Sequence, residues 1–267
     1  MPTILPMAVV TLVASAALWI AVLWAYSGRT WRFVPLVAFG LPLSALVNLA
    51  VKGPLAEGVG ARAGIDPGRG LDTPLWFLLF LFTLAPVFEE AIKVVPVVVP
   101  GVRRAMAGPG GALWTGFALG IGFGLGEAAY LAWQVAASGA YEQYPWYAFT
   151  GFLGERFVVV YLHGFMTGLF LWMAGRGKRV LGYLAAIGVH GLLNSGAMLY
   201  QLGLAPGWAA GAVMVGVLVA AVLVFDRVRP RADAFAPPDA RSGSHETDQA
   251  SPGTRERQGA TVYYHRG

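Results

Sequence analysis

Seven apolar stretches, at residues 4–26, 32–51, 74–100, 111–137, 146–174, 180–201 and 208–225, decide what this chain can fold into. Each can cross a hydrocarbon core of ~30 Å as a helix rising ~1.5 Å per residue. A helix satisfies its own backbone polar groups where no water can, so the sequence predicts an all-α fold, a polytopic transmembrane bundle of about seven spans. Composition agrees: the chain is 57% hydrophobic and 12% charged, against about 25% charged for a soluble domain. That leaves too little polar surface to cover a globule in water. Stretches 74–100 and 146–174 exceed the membrane thickness and are expected to tilt or project from it.

Charge placement predicts orientation. Arg29 and Arg32 follow the first span, Arg103 and Arg104 the third, Arg176, Lys178 and Arg179 the fifth, and Arg227, Arg229 and Arg231 the seventh. The alternate loops lack this bias: 138–145 carries only Glu142, 202–207 carries no charge, and the loop read at 52–73 is mixed, with Lys52, Glu57, Arg62, Asp66, Arg69 and Asp72. By the positive-inside rule this is a multi-pass protein of the cell membrane, with the N-terminus outside and the C-terminus cytoplasmic. No Lys or Arg precedes Arg29, so the first stretch lacks the basic region of a signal peptide and reads as a retained span. Residues 1–229 form the transmembrane domain, and 230–267, rich in Pro, Ser, Gly, Asp and Arg, read as a disordered cytoplasmic tail. The net charge of +5 sits in short loops between apolar spans, so it sets topology and implies no nucleic-acid partner. The absence of cysteine excludes disulfides, thiolate metal sites and cysteine nucleophiles.

Ionisable side chains inside a span are costly and usually face a cavity with a task. Four consecutive spans carry Glu89, Glu90, Lys93, Glu127, Glu155, Arg156, His163, His190 and Asn194. Glu89 and Lys93 stand four apart, so they are expected to share a face and pair, leaving Glu90 about 100° away. Pro86 and Pro96 predict a locally irregular helix around them. The run Gly116, Gly120, Gly122, Gly124, Gly126, Glu127 mimics a nucleotide-binding loop, but it lies inside an apolar span with no preceding strand. Close helix approach is the better account, and it puts Glu127 on a packed face. Arg156 and His163 share one face of the fifth span, and His190 and Asn194 one face of the sixth. Counted from the helix ends, Glu89, Glu90, His163 and His190 lie at one depth, with Glu127 paired to Arg156 just outside them.

A carboxylate and an imidazole in a water-filled cavity can activate water and pass its proton to a leaving amine. An Asn amide or His N–H can donate to the developing oxyanion. His163, His190 and Glu90 could instead hold zinc with one position open for water, and the residues alone leave metal-bound and metal-free water both open. The zincin motif H-E-x-x-H is absent. Buried Glu and His would equally serve a proton- or metal-coupled transporter, but no inverted repeat is visible. A non-catalytic scaffold would not need so many buried polar groups.

The order of motifs resembles a known superfamily. E-E-x-x-K at Glu89, Glu90 and Lys93, G-x-G-F-G-x-G-E ending at Glu127, His163, and H-x-x-x-N at His190 and Asn194 are similar to PrsW-type proteins and the related CPBP (CAAX protease-like) intramembrane proteases, with YhfC-type intramembrane metalloproteases a near relation. The resemblance covers residues 74–201. It implies a glutamate-dependent membrane endopeptidase acting on membrane-anchored proteins or peptides. Glu90 or Glu89 would activate water, His163 would assist as base or ligand, and His190 and Asn194 would stabilise the oxyanion or bind metal. The chain departs from the pattern at Ala128, where PrsW-type proteins commonly carry Asn, and at Lys93, where the CAAX type carries Arg.

Overall fold

The computed structural model describes residues 4–65, 73–108, 110–139 and 141–233, and these form helices with no strand among them. Seven helices are long and apolar enough to cross a membrane: α1 (Ile4–Tyr26), α2 (Trp31–Ala63), α3 (Leu75–Val98), α4 (Gly111–Ser138), α5 (Trp146–Ala174), α6 (Arg179–Gln201) and α7 (Gly207–Asp233). The fold is thus a polytopic all-α bundle. Large apolar side chains such as Val13, Leu75, Leu192 and Val215 point outward, a surface suited to lipid and not to water.

α4 and α5 form the axis of the bundle. In their most apolar windows 78% and 61% of residues are buried, against 17% to 33% in the other five spans. Glycine explains how α4 reaches that position. A Cβ on Gly116, Gly120 or Gly124 would run into the α5 backbone at Thr167, His163 or Val160. A second stripe faces α2, where Gly122 and Gly126 lie against the carbonyls of Val37 and Leu41, and Gly40 meets α4 in return. Small residues let backbones meet where lipid supplies no hydrophobic force to join helices.

α2 and α3 are segmented. α2 opens as a 3₁₀ turn around Pro35, passes Pro42, and widens to a π turn at Asn48–Lys52 before Gly53–Ala63. The chain from Lys52 to Ala63 is therefore helix, a correction to the loop expected at 52–73. The apolar run ends at Val51, but Gly53–Ala63 continues the helix, with Pro54 at the start of that segment. Asp66, Arg69 and Asp72 of that expected loop lie outside the described residues. In α3 the α-helical part Leu75–Leu84 gives way to a π turn at Ala85–Glu89, one α turn at Glu90–Ile92 and a 3₁₀ turn at Val95–Val98. Pro86 removes the donor that a straight helix would use there, and the chain shifts its bonding register instead. Tyr183 of α6 donates to the Val87 carbonyl inside this bulge at 2.6 Å, which ties the irregular turn to a straight helix.

At the other boundary, α7 continues to Asp233, past the expected domain end at 229. Arg229 stacks on Tyr26, and the Arg231 carbonyl accepts a bond from Arg176, so this last turn is held by α1 and by the α5–α6 loop. The remainder of the expected tail, from residue 234, lies outside the described residues.

Candidate functional site

The two π turns face each other, and the site begins there. Glu89 closes the α3 π turn and Lys52 closes the α2 π turn; their side chains meet with Lys52 Nζ 2.6 Å from Glu89 Oε1. Past Glu89 the chain completes one α turn, with the Lys93 N–H on the Glu89 carbonyl at 3.2 Å. Glu89 and Glu90 are then both neighbours of Lys93 along the helix surface, and Lys93 pairs with Glu90, three residues back, at 2.5 Å, and not with Glu89, four back, as expected. Glu90 no longer stands apart from the pair; it is its acidic member.

From Lys93 the polar contacts run on without a gap. Lys93 Nζ lies 2.7 Å from His163 Nδ1, and His163 Nε2 lies 3.1 Å from Glu127 Oε2. Arg156 donates to Glu127 at 3.0 Å and to Glu155 at 2.5 Å. In the other direction His190 Nδ1 is 2.7 Å from Glu90 Oε1, and His190 Nε2 is 3.9 Å from Glu89 Oε2. Five helices contribute to one connected set. Glu89, Glu90, Lys93, His163 and His190 are each at most 3% exposed. Charges buried this deeply need partners, and each buried carboxylate has its own cation: Lys52 for Glu89, Lys93 for Glu90 and Arg156 for Glu127.

The partners assign the imidazole tautomers. The Lys93 ammonium can only donate, so His163 Nδ1 accepts and His163 Nε2 carries the hydrogen that it gives to Glu127. The Glu90 carboxylate can only accept, so His190 Nδ1 donates to it. In the neutral ring His190 Nε2 is then the nitrogen with the lone pair. Its nearest ionisable neighbour is Glu89 Oε2, which, like Glu90 Oε2, is buried without a hydrogen-bond partner among the described residues. A separation of 3.9 Å is too long for a direct bond, but one water can touch both atoms.

A cavity of about 510 Å³ reaches this pair of imidazoles. Glu127, Arg156, His163, His190 and Asn194 line its polar side, and it extends past Glu155 and Gln201 to Gly207. It therefore opens toward the end of the bundle where α5 begins and α6 ends. A second groove of about 510 Å³ lies on the other side of α6, between Leu78, Leu81 and Phe82 of α3 and Met198 and Leu202 of α6. The two share Asn194, Ala197 and Gln201.

All six residues singled out from the sequence, Glu89, Glu90, Glu127, His163, His190 and Asn194, are in or beside this site. Five are linked by polar contacts; Asn194 lines the cavity half-buried, with no hydrogen bond among the described residues. Sequence reasoning missed Lys52, placed in a loop because the apolar run stops at Val51. The charge count held the signal: Glu89, Glu90, Glu127 and Glu155 outnumber Lys93 and Arg156, a shortfall of cations in the spans. Phe123 was missed too; its ring lies 4.6 Å from Lys93 Nζ and packs edge-on against His163.

Two overlapping sets bring one ligand atom per residue within 4.8 Å of one another: Glu90, His163 and His190, and Glu89, Glu127 and His163. The first is the set expected for zinc from the sequence. Comparison with family models, curated proteins and solved structures finds no match for this chain.

Proposed function

We propose that the chain is an intramembrane endopeptidase, of the kind its motifs resemble, which hydrolyses membrane-anchored proteins or peptides with water activated by Glu89 and His190. The observation that carries this reading is Glu89 Oε2, buried without a hydrogen-bond partner among the described residues, 3.9 Å from Nε2 of His190, whose side chain lines a cavity within a bundle of apolar spans. A water bound to both atoms attacks the peptide carbonyl. His190 Nε2 takes one of its protons, with the positive charge facing Glu90 across Nδ1, a carboxylate–imidazole arrangement that fixes the ring and stabilises its protonated form. When the C–N bond breaks, His190 returns that proton to the leaving amine. The products are a carboxylic acid and an amine, and transfer of the remaining proton between them gives a carboxylate and an ammonium. Asn194 and Arg156 present N–H donors to the same cavity, where the oxyanion develops. Glu127 holds His163 and Arg156 in place.

The test is cleavage of single-span peptides by the purified chain in lipid, read by mass spectrometry. Wild type should give paired fragments whose cut lies within or near the apolar segment. Asn194→Ala should lower kcat about 10²-fold with little change in KM, as for removal of one oxyanion donor. No fragment from any membrane peptide, with a fully folded protein, would count against the enzyme. A second reading has support in the unbroken polar chain from His190 through Glu90, Lys93, His163, Glu127 and Arg156 to Glu155, which could relay protons. It predicts a proton flux across proteoliposomes that Glu127→Gln abolishes, whereas the protease reading predicts no flux.

The charge distribution supports a cytoplasmic C-terminus, so the cavity would open on the outer side of the cell membrane. The chain has no cysteine, which makes single-cysteine labelling direct. In cells, Glu142→Cys should react with a membrane-impermeant maleimide and Arg104→Cys should not; the reverse pattern would invert the topology.

A further inference from the structure

A set of two imidazoles and a carboxylate in a buried pocket looks like a zinc site, yet the pocket holds a cation of its own. The three hydrogens of the Lys93 ammonium meet three electron-rich groups: Glu90 Oε1 at 2.5 Å, His163 Nδ1 at 2.7 Å and the face of Phe123 at 4.6 Å. Lys93 is fully buried, and two of its three partners belong to the ligand set Glu90, His163 and His190. We infer that Lys93 is the resident cation of this cluster: it fills the space between Glu90 and His163 that a divalent ion on those ligands would need, keeps such ions out of the wild-type protein, and leaves a latent metal site when it is removed, with His190 as third ligand once its Nδ1 gives up the hydrogen it shares with Glu90.

Charge and hydrogen placement carry the argument together. A dication held by Glu90 and His163 would sit within a few Å of the ammonium, and like charges at that distance in a buried site repel strongly. The overlapping set of Glu89, Glu127 and His163 is closed for a second reason. With Lys93 donating to His163 Nδ1, the Nε2 atom on the Glu127 side carries a hydrogen and has no lone pair for a metal. Its two carboxylates are already matched by Lys52 and Arg156. A zinc site keeps its ligating imidazole neutral by giving the far N–H to an acceptor; here the far nitrogen of His163 faces a donor. Nothing in this inference depends on whether the cavity cleaves peptides.

The experiment measures metal, not activity. Untagged full-length protein is purified in detergent, equilibrated with Zn²⁺ or Co²⁺, dialysed, and assayed by elemental analysis and by the visible absorption of Co²⁺. Wild type should retain far less than one ion per chain. Lys93→Ala should retain about one, with a Co²⁺ spectrum showing nitrogen ligands and an affinity about 1,000-fold above wild type or more. Lys93→Ala combined with His190→Ala should lose it again. A wild-type protein that retains one tightly held ion per chain would overturn the inference, and so would a folded Lys93→Ala protein that binds none. Should Lys93→Ala fail to fold, Lys93→Met, which keeps the bulk and drops the charge, takes its place, and the wild-type measurement decides in either case.

Discussion

Replacing His190 by Ala is expected to abolish peptide cleavage, with kcat falling about 10³- to 10⁴-fold while membrane-peptide binding changes little. Of the four imidazole nitrogens at the site, only His190 Nε2 has no hydrogen-bond partner among the described residues; His163 engages Lys93 and Glu127 with its two nitrogens. The loss should therefore be far deeper than any change of His163 made by moving its proton alone. Glu90→Gln tests the orienting partner. A glutamine can still accept from His190 Nδ1, but it carries no charge to stabilise the protonated ring, so kcat should fall about 10²- to 10³-fold. It also leaves Lys93 buried without its carboxylate, so its thermal stability must be measured beside its activity. His190→Ala cleaving within tenfold of wild type, in a folded protein, would remove His190 as the base and with it the proposed water site.

Much of this arrangement could be read from the chain because lipid leaves few choices. Apolar runs of membrane-spanning length force helices, and the glycine period in α4 marks the face that must lie close to another backbone. For the same reason Glu127 could be placed beside Arg156 before any coordinates: both sit in regular helices, where spacing converts directly into direction. That conversion fails in α3. Around Pro86 the backbone passes through π, α and 3₁₀ turns within about three turns of helix, and each change of hydrogen-bond register rotates the following side chains. From Glu89 to Lys93 the chain is one α turn, where spacing alone cannot choose between Glu89 and Glu90 as the partner of Lys93; Lys52, by taking Glu89 from the facing π turn, decides it. Lys52 escaped for a related reason, since a π turn in α2 carries it inward just where hydropathy ends. In both cases irregular turns deliver the charged groups, and Lys52 and Glu89 meet from π turns that face each other. Tyr183 shows how such a turn is held, by a side chain from α6 that satisfies a carbonyl of the bulge.

The distance between the Glu127 and His163 side chains depends on the glycines that separate their helices, and this sets the largest expected effect on folding. Gly120→Val should destabilise the bundle by about 4 kcal/mol or more, because its side chain would enter the space of the His163 carbonyl and carbonyl carbon. Neither atom can rotate aside; α5 must move as a body. That movement would also carry His163 away from Lys93 and Glu127, so cleavage should fall even in the fraction that folds. Gly120→Ala should show the same two effects to a lesser degree. Gly188→Ala is the matched control. It lies within α6, also carries no side chain, and a Cβ there would meet nothing within 4 Å. Without a collision only the helix propensity remains, and the alanine should stabilise by about 0.5–1 kcal/mol. Thermal unfolding of the three variants in one detergent checks both signs at once. Equal melting temperatures for Gly120→Val and wild type would mean that α4 and α5 are not held together by glycine contact, and the close approach that brings Glu127 to His163 would need another cause.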